Sequence, residues 1–158
     1  MTNYEPTLDG SGLRVAVVAA RFNDLVTSRL MDRATEGLVR LGVDPMSITT
    51  VWVPGAFELP LAAQRLALSG EFDALVVLGA VIRGATDHHV HVGGQAAAGL
   101  TRVALDTGVP VAMGVLTTDT LEQAMERAGG KGSNKGLDAA SSAVEMANLL
   151  RQLPKQQG

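Results

Sequence analysis

The chain has 158 residues, 46% of them apolar, which is enough for one hydrophobic core and little for two. Its 13 basic and 16 acidic side chains give a net charge of -3 without long runs of either sign, which disfavours nucleic acid and anionic membranes as partners. The absence of cysteine excludes disulfides, thiol catalysis and thiolate metal sites, and suits a cytoplasmic protein. Since no apolar stretch reaches membrane-spanning length and no targeting pattern opens the chain, we expect one domain over residues 1–158.

The first half of the chain alternates predicted strands with predicted helices. Residues 13–20 are rich in valine and almost continuously apolar, which predicts a strand buried on both faces. Apolar residues then recur with a helical period over residues 24–41, and Gly42 ends the pattern. Residues 47–53 predict a second strand, and residues 56–70 predict a helix that carries a proline in its first turn.

The second half adds a strand, a helix, a strand and two further helices, in that order. They are predicted over residues 73–82, 88–106, 109–117, 119–130 and 135–153. Asp119 and Glu122 have the spacing of a capping box, which predicts that they begin the fourth helix.

Alternating strands and helices predict a parallel sheet, because parallel strands need crossover connections. The expected fold is α/β: a flavodoxin-like three-layer sandwich with a four-stranded parallel sheet flanked by about five helices. Residues 1–12 are predicted to form an extended arm and residues 154–158 a loose tail. Residues 4–8 could add a strand to an exposed sheet edge of a neighbouring subunit, which favours self-association.

Two of the few aromatic residues, Phe22 and Phe57, follow predicted strands. In open parallel sheets ligands bind beyond the carboxyl ends of the strands, where a flat ring can stack on a planar ligand. A single phenylalanine at such a position more often anchors the next helix to the core. Two of them together favour a binding site.

The turn from Arg83 to Thr86 lies between a strand and a predicted helix start. Free backbone N–H groups and the helix dipole favour an anion there, and phosphate is the natural occupant. Glycine in such a turn also serves turn geometry alone. Arg127, near the end of its helix, is interpreted from pattern alone as a surface charge.

All three histidines, His88, His89 and His91, lie within four positions. His88, in the first turn of a helix beside the anion site, is a candidate general acid or base. The three could instead bind a metal, although no carboxylate stands at ligand spacing. For His89 and His91 a polar role at a helix start or a subunit interface stays open.

Several motifs together resemble the 6,7-dimethyl-8-ribityllumazine synthase family: "ARFN", "PGAFELP", "GAVIRGAT.H", "GVLTTDTLEQAMERAG" and "NKG.DAA..A.EMANL". The resemblance covers residues 13–153 in order. It implies condensation of 5-amino-6-(D-ribitylamino)uracil with 3,4-dihydroxy-2-butanone 4-phosphate, with loss of phosphate and water. It implies no cofactor.

The resemblance also assigns roles to site residues. It implies ring stacking by Phe22 and proton transfer by His88, with Met113 and Arg127 supplied by the adjoining subunit. The implied pyrimidine and ribityl contacts are Ala56, Phe57, Glu58, Ala80, Val81 and Ile82. The implied phosphate contacts are Ala85, Thr86 and Arg127.

The resemblance further implies a pentamer, and the short "GGKGSNKG" link resembles members that build a sixty-subunit icosahedral shell. Riboflavin synthase is then a candidate partner. Two features depart from the family pattern: the run "HHVHV" replaces His-Phe-Asp-aromatic-Val, and Met113 stands where phenylalanine is usual.

Three alternatives follow from the same residues. The altered residues beside His88 leave open a shell-forming or ligand-binding paralogue with weak or no synthase activity. The histidine run leaves open a metal-dependent enzyme. A generic nucleotide-binding module is disfavoured, because no glycine-rich phosphate motif follows the first strand.

Overall fold

The computed structural model describes residues 1–129, 133–155 and 157. Within these ranges it has four strands: β1 (Val15–Ala20), β2 (Ile48–Val53), β3 (Ala74–Ile82) and β4 (Val111–Thr118). The same ranges contain five α-helices: α1 (Asp24–Arg40), α2 (Leu59–Leu68), α3 (His88–Thr107), α4 (Leu121–Arg127) and α5 (Lys135–Gln152). The predicted alternation of strands and helices is confirmed.

The strands form one parallel sheet in the order β2-β1-β3-β4. Successive side chains of β1 point to opposite faces, so that Val17 packs with α1 and α5 while Val18 packs with α2 and α3. Every residue of β1 is buried, because helices cover both faces of the sheet. The predicted α/β three-layer sandwich with a four-stranded parallel sheet is therefore confirmed.

The start of α4 differs from the prediction by one residue. Thr120, not Asp119, is the N-cap, and its Oγ1 accepts a hydrogen bond from the backbone N–H of Gln123 at 3.1 Å. Gln123 Oε1 accepts from the backbone N–H of Thr120 at 3.3 Å, which completes the capping box. The pairing of Asp119 with Glu122 was wrong because β4 continues to Thr118, so the chain turns into the helix one residue later.

The second helix begins later than predicted. Ala56–Glu58 form a single 3-10 turn, and α2 starts at Leu59 with its proline at the second helical position. Proline is tolerated there because the N–H that it lacks has no partner within the helix.

The first ten residues contain neither helix nor strand and lie against α5. Asn148 Nδ2 donates to the carbonyls of Thr7 and Asp9 at 3.0 and 2.8 Å, and Gln152 Nε2 donates to Glu5 O at 3.0 Å. Strand addition by residues 4–8 to a neighbouring subunit stays a prediction.

Two predicted segments fall partly outside the described residues. They are the glycine-rich link at 129–136, which includes positions 130–132, and the tail at 154–158, which includes positions 156 and 158. Across the ranges that are described, no helix has the length and apolarity that crossing a bilayer requires.

Candidate functional site

β3 extends farther than β1 at the carboxyl edge of the sheet. Its pairing with β1 ends at Ala19 and Leu78, whereas its pairing with β4 continues to Ile82 and Thr118. β1 itself ends at Ala20, so residues 80–82 extend beyond it on that side. This step in the sheet opens a cleft at the edge where parallel sheets bind ligands.

The cleft has a volume of about 490 Å³, which lies within the usual range for small-molecule sites. Its walls come from the exits of β1, β2 and β3 and from the start of α3, and they are mostly apolar. The lining residues are Phe22, Asn23, Gly55, Ala56, Phe57, Glu58, Ala80, Val81, Ile82, Gly84, Thr86, His88, His89 and Val92.

Nine of the twelve residues that the sequence proposed for the site line this cleft: Phe22, Ala56, Phe57, Glu58, Ala80, Val81, Ile82, Thr86 and His88. The other three, Ala85, Met113 and Arg127, do not line it in the single chain. Ala85 is exposed in the turn before α3, Met113 is half exposed on β4, and Arg127 is exposed at the end of α4.

The two phenylalanine rings face solvent rather than the core. Phe22 is 71% exposed and Phe57 is 66% exposed. A ring that anchored its helix would be buried, so the anchoring interpretation is wrong for both residues. Exposed rings in one cleft offer flat apolar surfaces to a ligand.

The loop that carries Phe22 is tied to the neighbouring strand exit. The backbone N–H of Arg21 donates to Val53 O at 2.7 Å, and that of Phe22 donates to Pro54 O at 3.0 Å. These two bonds fix the loop backbone against the end of β2.

Asn23 lines the cleft but was not assigned a role from the sequence. It has φ 65° and ψ 45°, in the left-handed region, and its Nδ2 donates to Ala80 O at 2.8 Å. The only local signal is that asparagine tolerates left-handed backbone better than most residues and often stands between a strand and a helix.

The end of β3 presents main-chain polar groups to the cleft. The N–H of Arg83 donates to Thr118 O at 2.8 Å, so Arg83 directs its backbone toward β4. Because this direction alternates along a strand, the main-chain polar groups of Ala80 and Ile82 point the other way, toward the β1 side of β3. Asn23 donates to the carbonyl of Ala80, and Ile82, which the same alternation turns toward this side, lines the cleft.

The start of α3 forms another wall of the cleft. The backbone N–H of His88 donates to Thr86 Oγ1 at 3.3 Å, and the side chain of Asp87 at the N-cap makes no capping hydrogen bond. The first N–H groups of a helix have no partner within it, so they can bind an anion. Arg83 Nη1 lies 3.8 Å from Asp119 Oδ1 and is not part of the lining.

The three histidines have different surroundings. His88 is exposed and His89 half-buried, and both line the cleft, whereas His91 is exposed outside it. His89 Nδ1 is buried and has no hydrogen-bond partner among the described residues. Within those same ranges no three histidine or carboxylate side chains are grouped as metal ligands would be.

The comparison with known protein families agrees with this geometry. The family model of 6,7-dimethyl-8-ribityllumazine synthase matches residues 12–151, which span the whole sheet and nearly all of its covering helices. The chain therefore belongs to the 6,7-dimethyl-8-ribityllumazine synthase family, a family of transferases in riboflavin biosynthesis.

Proposed function

We propose that this protein condenses 5-amino-6-(D-ribitylamino)uracil with 3,4-dihydroxy-2-butanone 4-phosphate to give 6,7-dimethyl-8-ribityllumazine, with release of phosphate and water and without a cofactor. One observation carries the proposal. A single cleft combines an exposed ring at Phe22, the free strand end of β3, a helix start at Thr86 and the titratable side chain of His88.

The aminopyrimidine occupies the part of the cleft between Phe22 and the end of β3. Its planar ring stacks on Phe22, and its imide edge pairs a donor and an acceptor with the N–H and C=O of Ile82. The ribityl chain then extends toward the turn at residues 56–58. There the carboxylate of Glu58 can accept hydrogen bonds from hydroxyl groups.

The phosphate of the second substrate lies at the start of α3. Thr86 supplies a hydroxyl and Ala85 a backbone N–H, next to the positive end of a 20-residue helix dipole. Arg127 of an adjoining subunit supplies the opposite charge. This role suits an arginine that is exposed and lies outside the cleft of its own chain.

The chemistry consists of proton transfers around bond changes at carbon and nitrogen. The 5-amino nitrogen adds to the butanone carbonyl, and loss of water leaves an imine. Elimination of phosphate breaks the C–O bond, the resulting enol becomes a ketone, and the ribitylamino nitrogen closes the ring with loss of a second water. His88 accepts and returns the protons, and holding both substrates at reacting distance supplies much of the rate.

The complete site is shared between subunits. Met113 and Arg127 lie outside the single-chain cleft and are exposed, as residues that serve a neighbour's site would be. We therefore propose a pentamer of this single-domain chain, assembled in the cytoplasm. The icosahedral shell and the partnership with riboflavin synthase remain predictions.

The test is to mix the purified protein with both substrates and to follow the absorbance and fluorescence of the lumazine against the uncatalysed reaction. Acceleration that survives a chelator supports the proposal. Pyrimidine binding without acceleration would identify a ligand-binding paralogue instead. Loss of activity on chelation, restored by one metal, would favour the metal-dependent alternative.

A further inference from the structure

Asn23 connects the three strand exits that form the cleft. The two residues before it, Arg21 and Phe22, donate backbone hydrogen bonds to the exit of β2. The side-chain amide of Asn23 donates in the opposite direction, to the carbonyl of Ala80 on β3, across 57 positions of sequence. The loop between β1 and α1 is thereby held from both sides.

The backbone of Asn23 is held in a conformation that residues other than glycine rarely adopt. It is the only residue other than glycine with positive φ among those described. The left-handed region is unfavourable for most residues because Cβ comes too close to the following carbonyl oxygen. The carbonyl of Asn23 accepts from the N–H groups of Val26 and Thr27 at 3.0 and 3.1 Å, so the first turn of α1 helps to keep this conformation in place.

The Asn23 amide takes the position of a missing strand partner. β1 no longer pairs with β3 beyond Leu78, so the carbonyl of Ala80 faces a gap in the sheet. A hydrogen bond of 2.8 Å from the partly buried amide fills that gap. Among the described residues it is the one hydrogen bond that joins the end of β3 to the loop that carries Phe22.

We propose that Asn23 is a positioning residue, which fixes the spacing between the ring of Phe22 and the main-chain edge of Ile82. The inference rests on the proposed function, because this spacing is the slot for the pyrimidine ring. Asn23 acts through its neighbours rather than on the reacting atoms. Its loss therefore affects the binding of the pyrimidine more than that of the phosphate substrate or the chemical step.

The kinetic test uses Asn23→Asp, which keeps the size of the side chain and replaces the amide donor by an acceptor that repels Ala80 O. We expect the KM for the aminopyrimidine to rise about tenfold, which matches the loss of one buried hydrogen bond. We expect kcat and the KM for the butanone phosphate to change little. Asn148→Asp is the matched control, since it removes amide-to-carbonyl bonds of the same kind far from the cleft.

A second variant separates the side chain from the backbone. Asn23→Gly keeps the left-handed conformation without strain and removes only the amide. It should raise the same KM as Asn23→Asp does. A wild-type KM in Asn23→Gly would show that the backbone alone positions the ring and would overturn the inference.

Hydrogen exchange tests the contact between Asn23 and Ala80 independently of enzymatic activity. Amides at residues 79–83 should exchange faster in both Asn23 variants than in the wild type or in Asn148→Asp, because the strand end loses its support. Unchanged exchange overturns the inference whether or not the protein makes lumazine. If the wild type makes no lumazine but both Asn23 variants exchange faster, the positioning contact is supported. Only the proposed reaction would then be contradicted.

Discussion

The backbone N–H of Arg14 donates to the carboxylate of Asp73 at 2.8 Å, although 59 positions separate the two residues in sequence. The guanidinium of Arg14 reaches the same carboxylate at 3.4 Å, and that of Arg151 lies 3.6 Å away. Asp73 thus joins the start of β1, the entry to β3 and the end of α5. Burial opposes ionisation, but the hydrogen bonds from Arg14 and the charges of Arg14 and Arg151 hold the pKa of Asp73 below its ordinary value.

This lowered pKa makes stability depend on pH. A carboxyl whose pKa is lower in the folded than in the unfolded state stabilises the folded protein at pH values above its unfolded pKa of about 3.9. This contribution is lost as the pH falls through the folded pKa. Asp73→Asn should lower the free energy of unfolding by about 1 kcal/mol at pH 7 and by less below pH 3. Urea midpoints at both pH values measure this. Asp106→Asn, which breaks an exposed pair, is the control, and an equal loss at both pH values would contradict the prediction.

Gly136 allows α5 to pack closely against α1. A Cβ at Gly136 would overlap the carbonyl oxygen of Leu30 and would lie 3.2 Å from the backbone nitrogen of Ala34. Gly136→Ala should therefore destabilise the protein by about 1–3 kcal/mol. Gly94→Ala meets nothing within 4 Å and should stabilise α3 by about 0.5–1 kcal/mol. Thermal unfolding of both variants tests this, and shifts of the same sign would count against it.

Phe22→Ala should weaken the aminopyrimidine selectively. Loss of the stacking surface is expected to raise its KM about fivefold, with a smaller change for the butanone phosphate. Stability should hardly change, because the ring is 71% exposed. Leu25→Ala removes another exposed apolar side chain, one outside the cleft, and serves as the control. Steady-state kinetics with each substrate varied in turn measures both KM values. An equal rise in the two KM values would argue against stacking.

His88→Ala should reduce kcat by about 100-fold or more, because a general acid–base group is lost, while the pyrimidine still binds. His91→Ala is the matched control and should leave kcat unchanged, since His91 is exposed outside the cleft. Single-turnover rates and a binding titration separate chemistry from affinity. If His88→Ala turned over at the wild-type rate, the proton carrier would have to be another group.

Much of the architecture could be predicted because each element carries its own periodic pattern. The continuous apolar run of residues 13–20 predicted a doubly buried strand, and β1 is buried throughout. The site followed from the rule that parallel sheets bind ligands at their carboxyl ends, which led to Phe22 and Phe57. Both rings line the cleft.

What could not be predicted depends on distant partners or on exact lengths. The contact of Asn23 with Ala80 spans 57 positions, and no local pattern encodes it. The capping box of α4 was predicted one residue too early, at Asp119, because the exact end of β4 at Thr118 decides where the helix begins. Met113 lies outside the cleft of its own chain, and its proposed role comes from the family resemblance rather than from a local pattern.

The overhang of β3 has a consequence for how this site can change during evolution. Where main-chain groups do the polar recognition, one aliphatic side chain can replace another at Ala80 or Val81 without altering the donors and acceptors offered to a ligand. Many apolar side chains should therefore be tolerated at Ala80 and Val81. Proline should not be tolerated at Ile82, because it would remove the backbone N–H. Related sequences could differ freely along this strand end and still bind the same ring.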